Sequence, residues 1–290
     1  MKILLTGADG FTGRPFAKQA AAAGHVVVAS RADLTDEAAV LDEVMTVEPE
    51  AVVHLAAISF VGHADELAFY SVNVLGTTNL LDALVQLPRP PRRVLLASSA
   101  NIYGNSDESP LQETQPPAPV NHYAMSKLAM EHMARTYIGR LNLIITRPFN
   151  YTGPGQDPNF VIPKLAKHFA ARAPSVSLGN LDVEREFNDI RLVCAAYLLL
   201  LAHGEPGEAY NVCTGRPYTL RHVIETFEQL TGHRMKVEVD PRFVRPNEVH
   251  RLCGDPGKLN RVASANGIPL EAPSLQETLQ SMLATSEVQR

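Results

Sequence analysis

Short unbroken apolar runs recur through the first half of the chain. They are Ile3-Leu4-Leu5 after Lys2, Val26-Val27-Val28-Ala29, Ala51-Val52-Val53-His54-Leu55, Val94-Leu95-Leu96-Ala97 and Leu143-Ile144-Ile145-Thr146. Each has strand length, and apolar residues on successive positions imply a strand covered on both faces. Between the runs the apolar positions fall every three or four residues, which is the helical period. The pattern predicts helices over 16–23, closed at Gly24; over 35–47, with Thr35 as cap and Asp36 and Glu37 in the first turn; over 65–87, stopped by Pro88-Arg89-Pro90-Pro91; and over 121–138. Buried strands alternating with helices predict an α/β fold, a Rossmann-like doubly wound parallel sheet.

Beyond Asn150 the rhythm changes. Gly153-Pro154-Gly155 and Asp157-Pro158 break the chain, and the later elements are shorter. Helices are predicted over 160–171 and 192–201, a brief strand at Tyr210-Asn211-Val212, and a helix opened by Thr219 and closed by Gly232. Ser274-x-x-Glu277 is a capping box starting a last helix. The expected organisation is a dinucleotide-binding domain over 1–150, with segments near 187–213 returning to it. Residues 151–290 would form mainly a smaller C-terminal substrate-binding domain.

Composition narrows the function classes. The 290 residues are 45% apolar and 20% charged with net charge -5, an ordinary soluble composition without the basic field that nucleic acid or an anionic membrane would require. No run is long enough to span a bilayer. Cys194, Cys213 and Cys253 are odd in number and widely spaced, so core packing in a reducing cytoplasm is expected. No ligand cluster for a metal is apparent, because His122 and His132 lie on a helix without matching acids or cysteines.

Three stretches carry chemistry. The first strand runs into Thr6-Gly7-Ala8-Asp9-Gly10-Phe11-Thr12-Gly13 and then a helix. That geometry sets a pyrophosphate on a helix N-terminus, although the spacing is Gly-x-x-Gly-x-x-Gly rather than the commoner Gly-x-Gly-x-x-Gly. Ser98-Ser99-Ala100-Asn101-Ile102-Tyr103-Gly104 follows the 94–97 strand and puts hydroxyls at its carboxyl end. Tyr123-Ala124-Met125-Ser126-Lys127 places a tyrosine and a lysine on one helix face, where the ammonium is expected to lower the phenol pKa for proton transfer.

In that order, these stretches resemble the extended short-chain dehydrogenase/reductases, the family of nucleotide-sugar epimerases, dehydratases and reductases. The likeness extends to His54-Leu55-Ala56-Ala57, Asn73 and Arg147-Pro148-Phe149-Asn150, and so covers nearly the whole chain. It implies Ser99, Tyr123 and Lys127 as catalytic residues. It assigns Gly7, Gly10, Phe11, Gly13, Arg31, Asp33, Leu34, Leu55, Ala56, Ala57, Tyr123, Lys127 and Pro148 to the cofactor. The run Arg147 to Gln156, Glu184-Arg185-Glu186-Phe187-Asn188-Asp189, Tyr210 to Gly215 and Arg245-Pro246-Asn247-Glu248-Val249 resemble the GDP-mannose branch. The substrate residues implied are Ser99, Asn101, Asn150, Lys164, Arg185, Arg245 and Glu248, with the arginine forks suited to a diphosphate.

Two positions depart from relatives in that family. Dehydratase members carry a glutamate where this chain has Asn101, and an amide cannot serve as that base. NAD-preferring members end the second strand in an acid, whereas here it ends Ala29-Ser30-Arg31, which suits a 2′-phosphate. Asp33 lies about 20 residues beyond Gly13, the distance of the usual ribose acid, but the resemblance puts Asp33-Leu34 at the adenine. The reading is a reductase using NADPH, with NADH as the alternative. It would reduce the C4 ketone of GDP-4-keto-6-deoxy-D-mannose to GDP-D-rhamnose or its C4 epimer. A nucleotide-sugar 4-epimerase with tightly bound NAD and a non-catalytic dinucleotide sensor are the rivals. The helices over 65–87 and 121–138 resemble the pair that forms a homodimer interface in the family.

Overall fold

The computed structural model describes residues 1–60, 64–106, 108–243 and 249–288. Its centre is a six-stranded parallel sheet. In chain order the first half runs β1 (Lys2–Thr6), α1 (Gly13–Ala22), β2 (Val26–Ala29), α2 (Glu37–Val47), β3 (Ala51–His54), α3 (Glu66–Tyr70), a π-helical turn (Ser71–Gly76), α4 (Thr77–Val85), β4 (Arg93–Ala97), a 3-10 turn (Ala100–Tyr103), α5 (His122–Arg135) and β5 (Leu143–Pro148). The second half runs β6 (Tyr151–Thr152), α6 (Val161–Ala170), β7 (Ser175–Leu178), β8 (Glu184–Glu186), β9 (Asn188–Asp189), α7 (Ile190–His203), β10 (Ala209–Val212), β11 (Pro217–Thr219), α8 (Leu220–Thr231), β12 (Lys236–Val239), β13 (Arg251–Leu252), α9 (Gly257–Ala265) and α10 (Leu275–Val288).

The strand order is β2-β1-β3-β4-β5-β10, so the winding reverses between β1 and β3. The period of two along a strand divides the core. Ile3, Leu5, Val53 and Leu95 face α1 and α7, against Phe16, Val193 and Tyr197. Leu4, Val52, Val94 and Leu96 face α2, α4 and α5, against Val44, Leu84 and Met130. These strand residues are fully buried, each stabilising the fold by about 1.5–3 kcal/mol. The register pairs Thr6 with His54, His54 with Leu96, and Ala97 with Thr146, which lines the carboxyl ends of β1, β3, β4 and β5 along one rim.

A separate apolar cluster joins α6, β7, α8 and α10 through Leu165, Phe169, Phe227 and Leu279, with Phe169 stacked on Phe227 at 5.1 Å. Beside it lie the sheet β11-β8-β13 and the pair β7-β12. These short strands escape a pattern reading because two to four residues carry too little period. Two local expectations are corrected. Asp36, not Thr35, caps α2 by accepting the Ala39 N–H at 3.1 Å, while the Thr35 hydroxyl binds Asp33 at 2.7 Å. The helix expected over 65–87 is interrupted by the π turn, which widens the helix around the buried Asn73. Among the described residues no helix is long and apolar enough to cross a membrane.

Candidate active site

The glycine turn closes where β1 meets the end of β3. Gly7 has φ +68°, and a Cβ there would lie 2.8 Å from the Ala56 nitrogen. A Cβ on Gly13 would lie 2.1 Å from the Gly7 oxygen, so the turn folds back on itself only as glycine. Gly10 N–H donates to the Gly7 carbonyl at 3.0 Å. No side chain caps α1, because the Thr12 hydroxyl pairs with the Tyr151 hydroxyl at 2.9 Å. Phe11 stacks on Tyr151 at 5.9 Å. An uncapped helix N-terminus behind a glycine turn at a sheet's switch point fits the pyrophosphate of a dinucleotide.

A buried hydrogen-bond chain ties this rim to α5. The Thr6 hydroxyl oxygen accepts the N–H groups of Leu55 and Ala56, each at 3.1 Å. Its own proton therefore goes to His54 Nδ1 at 2.7 Å. His54 Nε2–H then donates to the Thr77 hydroxyl at 2.9 Å, which donates to the Asn73 carbonyl at 2.8 Å. Burial, and then the Lys127 charge, push His54 down to about 3, so it stays neutral as this tautomer requires. The Asn73 amide brackets Ile58, accepting its N–H at 2.9 Å and donating to its carbonyl at 3.1 Å. It also donates to the Ser126 hydroxyl at 3.0 Å. Ser126 in turn donates to the Tyr123 carbonyl at 2.8 Å.

Ser99, Tyr123 and Lys127 come together at the carboxyl end of β4. Asn121 caps α5 through the Ala124 N–H at 2.9 Å, and Tyr123, Lys127 and Glu131 follow one another on its buried face. The Ser99 hydroxyl accepts the Asn101 N–H at 3.2 Å. Ser98 Oγ is buried without a partner among the described residues, an orphaned polar atom at the same strand end. Lys127 Nζ donates to the Ala97 carbonyl at 2.7 Å. Burial pushes Lys127 down to about 8, and the Glu131 carboxylate opposes that shift. The expected lowering of the Tyr123 phenol is corrected. Burial raises it to about 12, with the Ser99 hydroxyl pulling the other way. The lysine head is fastened to β4, and the desolvated phenol stays protonated.

A second buried network supports this floor. Arg147 at the end of β5 forms a fork with Glu131, Nε to Oε1 at 3.0 Å and Nη2 to Oε2 at 2.7 Å. Its Nη1 donates to the Tyr103 hydroxyl and the Glu113 carbonyl, both at 2.9 Å. Tyr103 donates to Asn211 Oδ1 at 2.8 Å, and Glu113 Oε1 accepts the Asn211 N–H at 2.8 Å. The serine turn is thus bolted to β5, α5 and β10.

The other expected residues that are described lie on several elements. Arg31 follows β2, exposed and paired with Asp9 of the glycine turn at 2.5 Å. The Asp33 carboxylate is engaged by Thr35, and Leu34 is buried against Gly76. Ala57 is half-buried past β3, and Pro148 is buried at the end of β5. Asn101 is half-buried in the serine turn, and Asn150 is exposed with its carbonyl accepting the Asn188 N–H at 2.9 Å. Lys164 turns to the Ser177 carbonyl at 2.7 Å and lies over the Phe243 ring at 4.5 Å. Arg185 on β8 donates to the carbonyls of Glu184, at 2.8 Å, and Val249. Arg245 and Glu248 lie outside the described residues.

Sequence reasoning gave no role to Glu131, Glu43 or Glu186. Glu131 continues the spacing of Tyr123 and Lys127 by another four residues, a signal that was there to read. Glu186 is fully buried and accepts the N–H groups of Thr214 (2.7 Å), Gly215 (3.2 Å) and Gly254 (2.7 Å), holding the loops beside Arg185. Nothing local marks that role.

A parallel sheet with a glycine turn at its switch point and a tyrosine–lysine helix at the rim defines an NAD(P)-dependent short-chain dehydrogenase/reductase of the extended type. The family model for GDP-mannose 4,6 dehydratase matches residues 16–263, and the chain belongs to that family. It is 35% identical over 267 residues to a GDP-6-deoxy-D-talose 4-dehydrogenase of Aggregatibacter actinomycetemcomitans, covering 90% of this chain and 91% of that one. It is 34% identical over 274 residues to the GDP-6-deoxy-D-mannose reductase of Pseudomonas aeruginosa, covering 89% and 90%. The structure of RMD from Pseudomonas aeruginosa complexed with NADPH superposes with a TM-score of 0.90 at 32% identity, covering 100% of this chain and 99% of that one.

Proposed function

We propose that the protein is an NAD(P)H-dependent reductase acting on the C4 ketone of GDP-4-keto-6-deoxy-D-mannose, with GDP-D-rhamnose or its C4 epimer as product. The carrying observation is the meeting of the Tyr123 phenol, Ser99 and Lys127 at the carboxyl end of β4. Reduction needs a proton donor at the ketone oxygen, and the Tyr123 phenol is one. The two relatives named for GDP-6-deoxy sugars support the substrate. Asn101 supports reduction over dehydration, since its amide cannot remove a proton from carbon.

The bound nicotinamide supplies the hydride. The protein's part is to bind, orient and move one proton. Gly7, Gly10, Phe11 and Gly13 hold the pyrophosphate, Arg31, Asp33 and Leu34 the adenosine end, and Leu55, Ala56, Ala57 and Pro148 line the floor. Ser99 hydrogen-bonds the oxygen at C4, and Tyr123 gives it a proton. The Lys127 ammonium, fastened to β4, would bind ribose hydroxyls. Asn150, Lys164, Arg185, Arg245 and Glu248 are assigned to the GDP-sugar. On this reading residues 1–150, with 187–213, serve the cofactor and 151–290 mainly the substrate.

The three free, buried cysteines fit a cytoplasmic protein. Leu67, Leu75 and Met125, exposed at 75%, 60% and 43% on adjoining α3, the π turn and α5, support a homodimer through that face. The functional test is loss of reduced-nicotinamide absorbance on adding GDP-4-keto-6-deoxy-D-mannose, with product NMR to fix C4. Turnover should depend on this sugar, and Tyr123→Phe should bind cofactor yet turn over at least a hundredfold more slowly. Full turnover by that variant, or no oxidation of either NADPH or NADH, would sink the proposal.

A further inference from the structure

Resting on the dinucleotide site just proposed, we infer that Glu43 of α2 sets the cofactor preference by occupying the donors that a ribose 2′-phosphate would use. The end of β2 is where a doubly wound fold meets the adenosine ribose. Three donors converge there on one carboxylate. The Ser30 hydroxyl donates to Glu43 Oε2 at 2.6 Å, and the Arg31 and Ala32 N–H groups donate to Oε1 at 2.6 and 3.3 Å. A hydroxyl and successive N–H groups form an anion cradle, and here a side chain of the protein fills it. The acid absent from the end of the strand is delivered from the neighbouring helix.

The two acids at this corner differ in how readily they yield. Asp9 holds the Arg31 guanidinium at 2.5 Å, but both side chains are more than two-thirds exposed. Exposed pairs of this kind contribute little, so Arg31 can swing to a phosphate at small expense. Glu43 is half-buried with three hydrogen bonds. A 2′-phosphate must either displace it or stand beside its negative charge, whereas a ribose 2′-hydroxyl can donate to it. Glu43 thereby disfavours NADPH and keeps NADH competitive, against the pull of Arg31.

The test is calorimetric titration of the full-length wild type and Glu43→Gln with 5′-ADP and 2′,5′-ADP, which requires no turnover. Glutamine keeps the size and removes the charge. Expected is about tenfold tighter 2′,5′-ADP binding in Glu43→Gln with 5′-ADP unchanged within about threefold, and a matching rise in the NADPH-to-NADH ratio of kcat/KM. An unchanged affinity ratio between the two nucleotides, or weaker 2′,5′-ADP binding, overturns the role of Glu43 while leaving the dinucleotide site standing. Failure of the wild type to bind either nucleotide overturns both.

Discussion

Replacing Glu131 with glutamine should both destabilise the protein and move its pH profile, and the coupling of the two effects is the test. The Arg147 and Glu131 side chains are only 8% and 3% exposed. Burial alone would lower the arginine's pKa, and the Glu131 carboxylate more than reverses that. Loss of one partner from a buried pair typically costs about 3–5 kcal/mol, because the other charge is left uncompensated. Glutamine keeps a carbonyl acceptor, and Arg147 keeps Tyr103 and the Glu113 carbonyl, so the low end, about 3 kcal/mol, applies. For a chain of this size that lowers Tm by about 6 °C.

Glu131 is also the charge that opposes the burial of Lys127, which stands at about 8. Without that carboxylate the lysine loses its proton at lower pH. Its ammonium is the form proposed to bind the nicotinamide ribose, so reductive turnover should fall as pH rises through the Lys127 pKa. Tyr123, at about 12, does not set this limb. The wild-type rate should decline above pH about 8, and Glu131→Gln should begin its decline earlier. Scanning calorimetry and kcat against pH with saturating sugar measure the two effects. Arg147→Met retains the carboxylate, so it should lose stability without the acidward shift. A shift common to both variants, or none in Glu131→Gln, refutes the link from Glu131 to Lys127.

Three further outcomes follow from the geometry. Gly13→Ala forces a Cβ to within 2.1 Å of the Gly7 oxygen, so the turn must open at about 1–3 kcal/mol or more, and 5′-ADP binding should be lost while α5 stays folded by hydrogen exchange. Asn73→Leu strands the Ile58 N–H and carbonyl and removes a donor from Ser126, costing about 2 kcal/mol in chemical denaturation and lowering kcat more than it raises KM for cofactor. Glu186→Gln keeps one oxygen and turns its amide N–H toward either the Gly254 N–H or those of Thr214 and Gly215, with an expected loss of about 3 kcal/mol and a rise in KM for the sugar nucleotide rather than for the cofactor.

What the sequence reveals and what it withholds divide along a physical line. Val52, Val94 and Ile144 announce buried strands because a strand covered on both faces is apolar at every position. Asn121, Thr219 and Ser274 announce helix starts because a cap acts within three residues. Gly7 and Gly13 are legible because the backbone itself demands them. Tyr123 and Lys127 share a face by helical spacing, and their approach to Ser99 follows from strand and helix order.

What stays illegible is the pairing of carboxylates with partners from other elements. Glu131 meets Arg147 across 16 residues, and Glu186 meets Gly254 across 68. Glu43 lies only 13 residues from Ser30, yet on α2 it reads as an ordinary exposed helix acid. Its role appears only once α2 is packed beside β2. The contacts of Lys164 with the Ser177 carbonyl and the Phe243 ring are equally invisible in the sequence. Cofactor preference is therefore hard to read from the residues ending a strand alone. Arg31 by itself points to NADPH. Arg31 with Asp9 on its guanidinium and Glu43 on its backbone points to a corner where a 2′-phosphate must compete with two carboxylates, of which only the half-buried one resists.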